Sequence, residues 1–315
     1  MATRAPVETL RSRAIAIEPL RIEPVFDDSE RVLAAIAERA PYPTLAEYHG
    51  FAPDGVYGSV VLPWFRSHFD DDLFVRNPRW IEGAQRAFRA QIVRPLRCVL
   101  NLQPAAPRGA VHLDLPVFRG SHRWPQAVWL LMSMSHSGLF APWMVPVASG
   151  LAWFYRGQGG EFEYWPDGPD RPSQCEAPPL WNVGQISDNE YMWHRVGAIG
   201  RPEDILAPDV LHAEDELHHA HDVWEIRGGA QVKARVEADQ LRISLLWKAY
   251  VFEDERALAS FENHDADLDL VQVVEIFSRD LERRGIAFER PSDPLRDPAW
   301  QKRIVASYPA AFRPE

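Results

Sequence analysis

The sequence predicts an α+β chain with an all-β core of the sandwich or barrel type, jelly rolls included, framed by helices at both ends. Three observations carry this. Short strand-like runs divided by Gly, Pro, Asn and Asp fill the middle of the chain, and helix-like periodicity sits at its ends. Strands and helices do not alternate regularly, which argues against a doubly wound parallel sheet.

Taken in order, residues 29–40 (SERVLAAIAERA) read as an amphipathic helix with Ser29 as its N-cap. Residues 41–63 are rich in Pro, Gly and Tyr and read as irregular. Residues 78–92 carry Trp80, Ala84, Ala87 and Phe88 at helical spacing behind Pro78, a residue suited to a first helical turn. Strand signals follow at 96–103 and at 110–118, where apolar and polar residues alternate. Residues 149–157 and 160–165 read as two strands joined by a Gly-Gly turn, and 180–186 and 191–199 as two more. Residues 232–252 hold one or two long strands, and 125–137 is a helix or a buried segment. Residues 268–285 and 297–309 return to helical spacing. The chain is expected to be one domain over 1–315: a core at about 95–252, an insertion at about 200–235, and helical flanks at 1–94 and 253–315.

Composition removes several functions. With 34 Lys and Arg against 45 Asp and Glu, the net charge is -11, so no broad basic face is available for a nucleic acid. Two cysteines, Cys98 and Cys175, support neither a disulfide framework nor a four-thiolate zinc site and are expected as buried, reduced thiols. No apolar run is long enough for a membrane span or a secretory leader, so a soluble cytoplasmic protein is expected. GxGxxG, GxxxxGK[ST] and GxSxG are all absent.

The sharpest local feature is His112-Leu113-Asp114 on the alternating run AVHLDLPVF. Residues two apart on a strand share a face, so His112 and Asp114 project together. An imidazole beside a carboxylate offers two ligands to a divalent metal; a second imidazole makes the two-His-one-carboxylate triad of non-haem iron oxygenases. His194, in the strand-like YMWHRVGAI, is the candidate third ligand.

These residues resemble the Fe(II)- and 2-oxoglutarate-dependent dioxygenases, whose fold is a double-stranded β-helix, a jelly roll framed by helices. The HxD motif is met by His112 and Asp114, and the distal His by His194 in His194-Arg195-Val196. GGEFEYWPDGP (159–169) resembles the hairpin between the metal-binding strands, and Arg242-Ile243-Ser244 the cosubstrate-binding RxS. The resemblance spans about residues 95–252. It implies Fe(II) held by His112, Asp114 and His194, and 2-oxoglutarate chelating that iron. The far carboxylate of the cosubstrate would be held by Arg242, whose planar fork suits a carboxylate, with Ser244 adding a hydrogen bond. It further implies molecular oxygen and a small-molecule substrate, oxidised at an unactivated C–H bond with release of succinate and CO2. Asp114 separates the chain from the family's halogenases, where a small residue stands at that position.

One departure concerns the anchor. Arg242 lies 48 residues beyond His194, a longer separation than the family pattern, which is why 200–235 reads as an insertion. Arg201, Arg97 and Lys248 are alternative anchors. His68-Phe69-Asp70 is a rival HxD, but it opens into Asp71 and Asp72 with no alternating strand around it. The insertion carries His212, His218, His219 and His221 and reads as a solvated helix or a lid, with a second metal site as the other reading. Among 12 Trp, Trp181 and Trp193 are singled out as possible pocket walls, and Arg94, Arg97 and Arg108 as a surface cluster that can meet an acidic substrate. A cupin-type metal- or ligand-binding protein, and a metal-dependent isomerase or hydrolase on the same barrel, are the alternatives to an oxygenase.

Overall fold

The computed structural model describes residues 16–45, 50–51, 57–58, 64–207 and 210–310. The leader reading of the first 15 residues, and much of the irregular 41–63 segment, fall outside these ranges. After β1 (Leu20–Ile22), α1 (Ser29–Glu38) buries Val32 and Ile36. Its N-cap is Asp28, whose side chain accepts from Arg31 N at 2.9 Å. Ser29 therefore sits one position inside the helix, because the first turn is set by what Val32 and Ile36 bury. β2 (Tyr42–Pro43) follows, then the two-residue pair β3 (Gly50–Phe51) and β4 (Tyr57–Gly58). β5 (Phe65–Phe69) and the short α2 (Asp72–Val75) lead to α3 (Pro78–Phe88). Pro78 opens α3 as expected, but the helix stops before residue 92 because Arg89 turns left-handed (φ 52°) and caps it.

The core strands explain the fold. β6 (Ile92–Gln103) lies in one sheet, and the extended run 106–112 crosses to the other. After α4 (Val128–Ser137), β7 (Val147–Tyr155) returns to the first sheet. β8 (Phe162–Trp165) and β9 (Gln174–Glu176) lie in the second, β10 (Leu180–Ser187) in the first, and β11 (Trp193–Val196) in the second. The larger sheet has the order β1-β10-β7-β15-β6-β5, where β15 (Arg242–Phe252) closes the core, and the smaller has β11-β8-β9. The run 106–112 pairs through isolated bridges with β11 at His194 and with Ile199 beyond it, so the smaller sheet gains a fourth member. Antiparallel strands that pass back and forth between two facing sheets form a double-stranded β-helix, the jelly roll expected from the sequence. The Gly159-Gly160 turn is not a simple hairpin. Both residues have positive φ (67° and 72°), and they carry the chain from the larger sheet to the smaller.

The insertion is a β-meander and not a helix. β12 (Glu216–Ala220), β13 (Val223–Gly228) and β14 (Gln231–Glu237) form a meander that pairs with β2. Leu217, Trp224 and Ile226 join Tyr42 and Ile36 in the apolar cluster behind the larger sheet. A strand was missed there because only one face of each strand is buried and its other face reads as solvated.

That cluster also receives Ile243, Leu245, Trp247 and Ala249 from one face of β15. Trp247 stacks on Trp80 of α3 with centroids 6.0 Å apart. Gly83 lets α3 approach β1: a Cβ there would stand 2.6 Å from Ile22 Cδ1. At the C-terminal end, α5 (Glu255–Glu262), α6 (Leu270–Arg283) and α7 (Pro298–Ser307) follow the core. Phe277, Leu281, Trp300 and Ile304 pack with Leu130 and Met134 of α4 as a second cluster. Cys98 is buried as expected, whereas Cys175, on the outer strand β9, is exposed. No helix among the described residues is long and apolar enough to cross a membrane.

Candidate metal centre

Register brings the three candidate ligands together. Gly109 N donates to Val196 O at 2.9 Å, and His112 and His194 exchange both backbone hydrogen bonds at 3.0 Å. Two residues directly opposite in an antiparallel pair project to one side, and the two imidazole centroids are 4.4 Å apart. The 110–118 run does not continue as a ladder: beyond His112, Asp114 N turns to Asn189 O at 2.8 Å. That loop contact carries the Asp114 carboxylate back, with Oδ1 3.7 Å from His194 Nε2. One ligand atom from each of His112, Asp114 and His194 lies within 4.8 Å of the others, so the group can hold a metal ion.

Both imidazoles are set in the tautomer a metal needs. His112 Nδ1 lies 3.0 Å from Ala110 O, and His194 Nδ1 lies 2.9 Å from Met192 O. A carbonyl only accepts, so Nδ1 carries the proton and Nε2 presents its lone pair. Burial, reinforced by the facing His112, lowers the His194 pKa to about 4, which keeps it neutral and ligand-ready. Burial alone would raise Asp114, but Lys248 and the two imidazoles outweigh it and hold the carboxyl below its usual range. Lys248 Nζ donates to Asp114 Oδ2 at 2.5 Å, Ser149 Oγ at 2.6 Å and Glu190 Oε1 at 2.8 Å. Burial opposes its charge, yet the two carboxylates raise its pKa and keep it cationic. Burial raises the pKa of Glu190, with Asp114 adding to the effect against the attraction of Lys248.

Arg242 and Ser244 lie on the inward face of β15 with Leu246 and Lys248, since the alternate residues pack outward. Arg242 is 1% exposed. Its Nε donates to Gly160 O at 2.8 Å and one Nη to Gln103 Oε1 at 2.9 Å, while Nη2 is buried without a partner. Desolvation pulls its pKa to about 10. A buried cation with a free donor suits an anionic group in the lumen. Arg201 does not share this lumen: it is exposed and paired with Asp204 and Glu203. Arg97 is exposed, and Lys248 is engaged with Asp114.

The other candidates separate from the centre. His68 lies on β5, a strand the sequence reading missed; it is exposed and joins no metal-binding group among the described residues. Among the described residues, the insertion's histidines form no metal-binding group. A different group, His122, His264 and Asp267, lies at the surface. Arg119, Arg123 and His264 already meet the Asp267 charge. Trp193 turns away from the lumen to stack on His136, and Trp181 lies under Arg156. The wall is formed instead by Trp153 and Phe162, whose ring is 5.4 Å from that of His194. The roles of Glu190 and Ser149 escaped sequence reading. The available signal was Lys248 itself, a second cation beside Arg242 in the otherwise apolar strand RISLLWKAYVF.

No protein-family model matches the chain, and no curated protein matches it. Solved structures similar to it include a Burkholderia pseudomallei oxidoreductase of the 2OG-Fe(II) oxygenase family, 13% identical, covering 75% of this chain and 86% of that one, with a TM-score of 0.39. A Pseudomonas putida prolyl-4-hydroxylase is 11% identical over 76% of this chain and 94% of its own, with a TM-score of 0.38. HygX from Streptomyces hygroscopicus, with nickel, 2-oxoglutarate and hygromycin B bound, is 11% identical over 75% and 85%, with a TM-score of 0.38. Likeness at this level carries no function across.

Proposed function

We propose that this chain is a non-haem Fe(II)- and 2-oxoglutarate-dependent oxygenase that hydroxylates an unactivated C–H bond of a small molecule. The observation that carries this reading is the pairing of two chemistries in one lumen. Two imidazoles and a carboxylate converge on one point, and a buried guanidinium with an unpartnered donor stands on the same inward wall. His112, Asp114 and His194 would hold Fe(II), a donor set that leaves positions open for a chelating cosubstrate and oxygen. Arg242 would clamp the far carboxylate of 2-oxoglutarate, with Ser244 beside it on the same strand face. Trp153, Phe162 and Leu151 line the lumen and exclude water from the reacting groups. When bound, Fe(II) and 2-oxoglutarate supply the oxidation: one atom of O2 enters the substrate hydroxyl and the other the succinate, with CO2 released.

The test is anaerobic addition of Fe(II) and 2-oxoglutarate, expected to give a weak visible charge-transfer band, followed by succinate release in air. Metal binding with neither band nor succinate would move the chain to the cupin-type binding proteins or to metal-dependent isomerases and hydrolases.

A further inference from the structure

The ammonium of Lys248 has three N–H donors, and each has an acceptor: Asp114 Oδ2, Ser149 Oγ and Glu190 Oε1, all within 2.8 Å. The acceptors come from three segments: the loop after His112, strand β7 and the loop before β11. Lys248 is 6% exposed, so its charge persists there only because it is paired and hydrogen-bonded on every side. It has no donor left for a cosubstrate or a substrate, unlike Arg242, whose Nη2 is free.

The contact divides the two oxygens of Asp114. Oδ1 faces His194 Nε2 at 3.7 Å, and Oδ2 is held by Lys248 at 2.5 Å. A carboxylate next to a divalent cation binds through one oxygen or both, and partners outside the ligand set decide which. We propose, on the Fe(II) reading above, that Lys248 is a positioning residue: it occupies Oδ2 so that Asp114 offers the metal Oδ1 alone, which keeps a coordination position open for 2-oxoglutarate. Ser149 and Glu190 hold the ammonium in place.

The test uses the full chain under anaerobic conditions, loaded first with Co(II) alone and then titrated with 2-oxoglutarate. Lys248→Met is expected to retain one metal in the triad, to shift the visible Co(II) spectrum, and to weaken 2-oxoglutarate binding by about the 10- to 100-fold that losing a metal ligand's partner typically costs in metal affinity or activity. Lys248→Arg, which keeps a cation, restores part of both. Ser149→Ala removes one tether and no charge, and moves both readouts the same way by a smaller factor. Lys233→Met breaks another buried pair, with Asp215 at 2.8 Å in the meander, and leaves both readouts at wild-type values. Wild-type spectrum and affinity in Lys248→Met overturn the inference, as does the same result in Ser149→Ala where Lys248→Met does not fold. Wild-type protein that binds no metal, or no 2-oxoglutarate, instead refutes the oxygenase reading on which the inference rests.

Discussion

Replacing Arg242 with methionine removes the cationic fork from the lumen wall and keeps a side chain of comparable reach. The guanidinium spends Nε on Gly160 O and one Nη on Gln103 Oε1, which leaves Nη2 for a ligand. A hydrogen bond to a charged group is worth about 1.5–3 kcal/mol, and each 1.4 kcal/mol is a factor of ten, so 2-oxoglutarate affinity should fall about 10- to 140-fold. Stability should move less. The substitution strands Gly160 O and Gln103 Oε1, but it also relieves the burial that pulls the Arg242 pKa to about 10. The assay is anaerobic titration of the Fe(II)-loaded protein with 2-oxoglutarate, read by the visible band, beside a thermal melt. Arg242→Lys should recover only part of the loss, because an ammonium lacks the planar fork. Arg201→Ala should change nothing, since that guanidinium is exposed and paired with Asp204. Unchanged 2-oxoglutarate affinity in Arg242→Met, with iron still bound, would refute the assignment.

His112→Ala, Asp114→Ala and His194→Ala should each abolish stoichiometric Fe(II) binding by equilibrium dialysis, and His68→Ala should retain it; retention in all four would exclude the triad. In metal-free protein the His194 imidazole should titrate near 4 by NMR, well below its ordinary 6.5. The unfolded chain takes up that proton first, so the stability this site contributes is present above pH 6.5 and is lost as pH falls to about 4; it amounts to about 3 kcal/mol. A denaturation series showing no loss over that window would contradict its burial. Trp247→Phe should lower the denaturation midpoint by about 1–3 kcal/mol of stability, because Val75 O then loses the indole donor that reaches it at 2.7 Å. Replacing His212, His218, His219 and His221 together by alanine should leave metal stoichiometry unaltered, as measured by elemental analysis.

Much of the fold and site was legible because its signals are local. The period-two run around His112 and Asp114 announced two groups on one face, and Pro78 opened α3 where local rules put it. Other features misled because they depend on partners far along the chain. Asp28, not Ser29, caps α1. The run at 110–118 pairs with residue 194 at His112, then leaves that partner: Asp114 is drawn to the loop at Asn189, and Phe118 bridges Met144 instead. The His-rich insertion looks solvated, yet its inward residues Leu217, Trp224 and Ile226 complete the outer core with Tyr42.

The sequence by itself therefore determined the helix-framed β core and the candidate ligand types with the residues that carry them, since side-chain period and donor chemistry are properties of neighbours. Tertiary structure alone decided which candidates meet. The register of β15 against β7 sets Lys248 opposite Ser149, and the bridge between residues 112 and 194 brings the imidazoles together. It also seals Arg242 inside the lumen and leaves Arg201 outside. The physical reason is that pairing register follows from which face of every strand is buried at once, and no single segment contains that information.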